Sequence, residues 1–137
     1  MRKINRDAEE ATLNKEEILK KLSKEHEFSL REYQNLINEW IENNGGYWPP
    51  LAMLASITEE LGETAREINH IEKIKLKKKD EPKNNLEVEL GDLLFSISCV
   101  ANYYKIDLNN ALRKSIKKFT ERDWNRFKDK SKGQNLE

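Results

Sequence analysis

The chain of 137 residues fits one domain of ordinary size, and its 25 Lys and Arg balance 25 Asp and Glu, which removes the global electrostatic case for a nucleic-acid polymer or a membrane surface as partner. With 36% apolar against 36% charged residues, a lone monomer would hold a thin core, so association into a homodimer or homotetramer is expected. The single cysteine, Cys99, cannot form an internal disulfide, and no N-terminal apolar run has the length of a signal or a membrane span, so a cytoplasmic protein is the default expectation.

Residues 1–27 read as a charged extension. Within it Asn14 followed by Glu17 resembles a capping box ahead of Ile18, Leu19 and Leu22, which predicts a short helix over 14–22. A folded domain is expected over 28–130, with 131–137 as a mobile tail. Its first helix starts at Ser29, where Glu32 completes Ser-x-x-Glu, carries Tyr33, Leu36, Ile37, Trp40 and Ile41 at helical spacing, and ends before Gly45. Gly45, Gly46, Pro49 and Pro50 mark a turn, and the prolines suit the entry of a second helix, where a missing N–H costs nothing. A third helix is predicted from about Leu86 to Tyr104, apolar on nearly every side, and a fourth from Leu108, capped by Asp107, through about Phe127. No stretch shows convincing two-residue alternation, so the fold class is all-α, a helical bundle with about four core helices.

The second and third helices carry almost the same acidic phrase, TEELGE at Thr58 to Glu63 and ELGD at Glu89 to Asp92. On the second helix Leu54, Ile57, Leu61, Ala65 and Ile68 gather on one side, while Glu59, Glu60, Glu63 and Glu67 gather on the other. Alone, that is an amphipathic helix with a solvated face. The third helix changes the reading, because Glu89 and Asp92 sit among Leu90, Leu93, Leu94, Phe95, Ile97 and Val100, which predicts that both carboxylates enter the core. Burying an ionised carboxylate costs several kcal/mol without a partner, and no Lys or Arg occurs between Leu86 and Tyr104. A metal ion is the economical partner. Residues three apart share a helical face, so Glu60/Glu63 and Glu89/Asp92 form two pincers that antiparallel helices can close on one site, and hard oxygen ligands select Mg2+, with Mn2+ as substitute. For the pincers to meet, the second helix must end near His70, leaving 71–83 largely as a charged loop. Lys77 to Lys79 are expected at the solvated surface, as is His70 near the helix end.

At these residues the chain resembles the EExxE…ExxD pattern of MazG-type nucleotide pyrophosphohydrolases, of the all-α NTP pyrophosphatase superfamily, over roughly residues 28–127. The resemblance implies that Glu60, Glu63, Glu89 and Asp92 hold Mg2+ and that Glu59 orients or activates water. It also implies hydrolysis of a nucleoside triphosphate at the α-phosphorus to monophosphate and pyrophosphate, in nucleotide-pool house-cleaning. A Lys-Phe-x-x-Arg element of the family's fourth helix is found as Lys118, Phe119 and Arg122, whose cations would neutralise phosphate oxygens. Many members have Asn two residues before that lysine. Here it is Ile116, a departure that bears on phosphate or sugar contact.

Selectivity falls on the loop GGYWPP, where Tyr47 or Trp48 could stack on a base or wedge between helices, and on Ser96 and Cys99, whose small side chains continue the Glu89/Asp92 face. Trp124 and Phe127 suit a core or an interface. A dCTP- or dUTP-selective enzyme of the same superfamily is an alternative, as is a non-enzymatic helical interaction protein with a vestigial metal site. A ferritin-like di-iron protein is a weaker rival: Glu67-x-x-His70 matches half of its motif, but the only other histidine, His26, has Ser23 three residues before it.

Overall fold

The computed structural model describes residues 13–23, 27–81 and 85–126, which form five α-helices and no strand: α1 (Lys15–Leu22), α2 (Leu30–Asn43), α3 (Pro50–Ile71), α4 (Leu86–Tyr103) and α5 (Leu108–Asp123). His26, Phe127 and the expected tail at 131–137 lie outside the described residues. The helix starts follow local chemistry. Asn14 with Glu17 and Ser29 with Glu32 each form a reciprocal capping box, Asp107 accepts the N–H groups of Asn109 and Asn110, and Pro50 occupies the first helical position of α3.

Between α2 and α3 the chain turns through Gly45 and Gly46, whose φ angles of 99° and 85° lie in the region that favours glycine. The Gly46 N–H closes α2 on the Ile41 carbonyl at 2.9 Å. The following Tyr47 is drawn inward. Its hydroxyl donates to Asn38 Oδ1 at 2.7 Å, and its ring meets Tyr103 edge-on. Tyr47 is thus a wedge between helices, whereas Trp48 next to it stays half-exposed.

The core is small: Ile41, Met53 and Cys99, flanked by Ile37, Tyr47, Phe95 and Val100. Trp40 meets Phe95 edge-on at 5.5 Å. α3 and α4 make the most extensive helix contact, α2 covers part of α4, α5 rests on α2, and α1 flanks α2. Gln34 secures this arrangement. Although polar, it is only 7% exposed, because its Nε2 donates to Asn102 Oδ1 and to the Ile106 carbonyl, and its Oε1 accepts the Leu108 N–H, all at 2.9 Å. One amide therefore ties α2 to the end of α4 and the start of α5.

One expectation is corrected. The acids of α4 are not carried into the core: Glu89 is half-buried and Asp92 exposed. The apolar residues around them also remain open, with Val88, Leu90 and Leu94 about half-exposed, because α2 and α3 cover only one side of α4. On α3 it is the acidic face that meets α4, as facing pincers require, and the apolar stripe stays outside. Leu54, Leu61 and Ile68 face outward, while Met53, Thr64 and Glu67 are buried.

Replacing Gln34 with Leu should keep the volume but strand the Leu108 N–H and the Asn102 Oδ1. A loss of about 1–3 kcal/mol in unfolding free energy is expected, measured by urea titration. An unchanged midpoint would show that the Gln34 bonds contribute nothing to the fold.

Candidate active site

α3 and α4 run antiparallel, and polar side chains join them at successive turns. The Ser56 and Ser96 hydroxyls lie 3.1 Å apart. One turn further along α3, Glu60 meets Asp92 and Glu89. Another turn on, the Thr64 hydroxyl donates to the Glu60 carbonyl at 2.9 Å and lies 3.5 Å from the Glu89 carbonyl. Last, the Glu67 carboxylate accepts the Asn85 N–H at 3.0 Å. Each turn up α3 is matched by about one turn down α4, as antiparallel helices in one register require.

Carboxylate oxygens of Glu60, Glu89 and Asp92 lie within 4.8 Å of one another. Such a group repels itself. Burial, followed by the charges of Asp92, Glu59, Glu89 and Glu63, raises the Glu60 carboxyl above its ordinary range. In metal-free protein the sign follows: a group with a raised folded-state pKa destabilises the fold while ionised, and this is relieved as pH falls through the raised value. Three hard oxygen donors with no cation among them fit Mg2+ or Mn2+ in ligand type and charge.

Of the other acids singled out in the sequence, Glu59 is exposed beside Glu60. Glu63 turns away from the group and pairs with Arg66 one turn on. Beside the acids opens a cleft of about 360 Å³, lined by Trp48, Ser56, Glu60, Asp92, Phe95 and Ser96, with Ala52, Met53 and Cys99 beneath. That size suits a small molecule. Trp48 and Ser96 thus share a cavity with the acids. Lys118 and Arg122 do not line it. They lie on α5, flanking the Phe119 ring, and Arg122 also pairs with Asp123.

Sequence reasoning missed Ser56 and Thr64, although both continue the Glu60 stripe at helical spacing. Two surface assignments are also corrected. The His70 side chain is 4% exposed, between Glu67 and Glu81. Lys77 folds back onto Glu67 at 3.1 Å, while Lys78 and Lys79 stay exposed. With Glu67 engaged by Lys77 and Asn85, the Glu67-x-x-His70 element does not act as half of a di-iron site.

The family profile of the MazG nucleotide pyrophosphohydrolase domain matches residues 49–127, the segment that holds both acidic helices and α5. Bacillus subtilis YpjD is 47% identical over 88 residues, covering 64% of this chain and 79% of YpjD. Its crystal structure superimposes with a TM-score of 0.62 at 40% identity, over 69% of this chain and 97% of that one. The crystal structure of a Bacillus-conserved MazG protein, a nucleotide pyrophosphohydrolase, gives a TM-score of 0.58 at 38% identity, over 73% of this chain and 97% of that one. The nucleoside triphosphate pyrophosphohydrolase MazG of Thermotoga maritima is 43% identical over 51 residues, 37% of this chain but only 20% of that longer protein. The chain belongs to the MazG nucleotide pyrophosphohydrolase family, and its all-helical fold is that of MazG-like pyrophosphatases. A hydrolase is the class to which family and neighbours point.

If the acidic group repels itself, Asp92→Asn should melt higher than wild type in EDTA, by roughly 2–4 °C. Saturating Mg2+ should reverse the order, since an ion at 100 times its Kd stabilises the native state by about 2.7 kcal/mol. Thermal melts with and without Mg2+ measure both, and identical responses of the two proteins would mean that no ion binds at Asp92.

Proposed function

We propose that this protein is a Mg2+-dependent nucleoside triphosphate pyrophosphohydrolase. It would cleave NTP or dNTP between the α- and β-phosphates in nucleotide-pool house-cleaning in the cytoplasm, with residues 28–130 as the catalytic domain. The observation that carries this reading is the convergence of Glu60, Glu89 and Asp92 at a cleft whose remaining walls are apolar and hydroxyl groups. Family membership supports the reaction class.

A polyphosphate brings negative charge to a site already crowded with acids, so it cannot dock there alone. Glu60, Glu89 and Asp92 would hold Mg2+, or Mn2+ in its place, with Glu63 joining once it leaves Arg66. When bound, the ion supplies positive charge against the phosphates and the developing charge of the transition state. Glu59 is exposed beside the group and would orient water toward the α-phosphorus and accept its proton; the bond to the bridging oxygen breaks and pyrophosphate leaves. Trp48 at the cleft wall would stack on the base, and Ser96 would face the nucleoside. Lys118 and Arg122 neutralise phosphate oxygens in this reading only if association brings α5 to a cleft mouth.

Association is supported by apolar side chains left uncovered on α3 and α4. Leu51 is 80% exposed, and Leu54, Leu61 and Leu94 are more than half exposed. A monomer rarely leaves so large an apolar face in water. Sedimentation should give a mass of two or four 16.2 kDa chains, and a monomer at all concentrations would remove this part of the reading.

A panel of NTPs and dNTPs, canonical and modified, with Mg2+ tests the activity. Wild type should release monophosphate and pyrophosphate, and Glu63→Gln and Asp92→Asn should each lower kcat/KM by more than about 100-fold, beyond the cost of losing an outer-shell partner. Orthophosphate release unaffected by either substitution would sink the proposal, as would no turnover of any nucleotide.

A further inference from the structure

The α4 N-terminal end of the seam carries a second polar cluster that hydrolysis leaves unused. Glu67 is only 5% exposed. Its Oε2 accepts the Asn85 N–H at 3.0 Å and lies 3.2 Å from Lys77 Nζ, which is 3.1 Å from Oε1. His70 adds its Nδ1 at 3.7 Å from Glu67 Oε1, while its Nε2 faces Glu81 at 3.9 Å. Burial would push the Glu67 carboxyl up, but the Asn85 N–H, Lys77 and His70 outweigh it and hold the group below the ordinary carboxylate range. A carboxylate this buried and this well partnered is built into the fold.

Its place is what matters. Asn85 is the N-cap of α4 and has no side-chain cap of its own. The Glu67 carboxylate accepts the N-cap residue's own N–H, the bond that an N3 glutamate makes in a capping box, but does so from a different helix, at the end of α4 where negative charge is favourable. One turn on, the Glu89 N–H bonds the Asn85 carbonyl at 3.1 Å, so Glu89 is attached directly to this anchor. A slip of one residue would turn Glu89 and Asp92 by about 100° away from Glu60. Mutual repulsion among the three acids pushes toward such a slip. Glu67 itself lies seven residues from Glu60, about 10 Å along α3, and so lies outside the acidic group.

We propose that Glu67 is a positioning residue of the acidic site: by holding the Asn85 N–H it fixes the register of α4 against α3, and with it the approach of Glu60 to Glu89 and Asp92. The inference rests on the hydrolytic reading only in taking that acidic group as the working site. Its test uses the full chain with Mn2+ as probe, binding being read by calorimetry without nucleotide and turnover measured alongside. Glu67→Met keeps the shape and removes the acceptor; it should weaken Mn2+ binding by about 10- to 100-fold while its far-UV circular dichroism stays that of wild type. Glu67→Gln keeps an oxygen for the Asn85 N–H and should bind Mn2+ within about 3-fold of wild type even if it melts earlier, which a merely stabilising role would not produce.

A folded Met variant with wild-type Mn2+ affinity overturns the proposal. So does a Gln variant weakened by 10-fold or more, since charge rather than the N–H anchor would then matter; this arm decides even if the Met variant does not fold. A wild-type chain that binds Mn2+ but hydrolyses no nucleotide defeats the proposed reaction and leaves positioning to be decided by the affinities. A wild-type chain that binds no Mn2+ overturns the positioning role too.

Discussion

Three carboxylates that crowd within 4.8 Å between two antiparallel helices are the constraint on which the rest of this structure depends. Like charges so close drive the helices apart, so other contacts must hold them together. The seam supplies these on both sides, with the Ser56 and Ser96 hydroxyls before the acids and Thr64 and Glu67 after them. Each contact is modest in isolation, about 1 kcal/mol net for a neutral hydrogen bond. Their value here is geometric, because bonds a turn apart on either side of the acids fix one register.

This seam also explains the inverted amphipathicity of α3. A helix in a small bundle ordinarily buries its leucines, yet α3 buries Met53, Thr64 and Glu67 and leaves Leu54, Leu61 and Ile68 uncovered. Once the polar face is committed to α4, the apolar face must point elsewhere. The small core of Ile41, Met53 and Cys99 is a consequence of the same choice. A site between helices and an open apolar flank are thus two results of one packing decision, and covering that flank falls to a second chain in the assembly proposed above.

What the sequence made legible was what local chemistry determines. The caps at Asn14, Ser29 and Asp107 rest on residues two or three apart, and the structure finds each where spacing placed it. The closeness of Glu60, Glu89 and Asp92 was also readable, from two acidic phrases at helical spacing and a connection long enough to reverse the chain. What could not be read was how far Glu89 and Asp92 stay in water, because the apolar neighbours on α4 do not say which of its sides α2 and α3 cover. Lys77 and His70 escaped for another reason. Lys77 returns to Glu67 from ten residues on, past the end of α3 at Ile71 and through irregular backbone that includes Lys73 at a φ of 57°, and no periodic pattern encodes such a path.

The position of Glu63 shows how magnitudes bear on the proposed reaction. Three residues beyond Glu60 it shares the same side of α3, yet its carboxylate lies outside the acidic group and meets Arg66 instead. That pair is partly exposed, and exposed ion pairs are worth about 0–1 kcal/mol. In the proposed reaction, drawing Glu63 to a divalent ion held by Glu60, Glu89 and Asp92 would therefore oppose only a weak competitor. In metal-free protein the balance reverses, because moving Glu63 inward would bring another negative charge toward Glu60, whose carboxyl is already raised by its neighbours. In the proposed reaction Arg66 would thus be the resting partner of Glu63, and the charge of a bound ion would decide which partner wins.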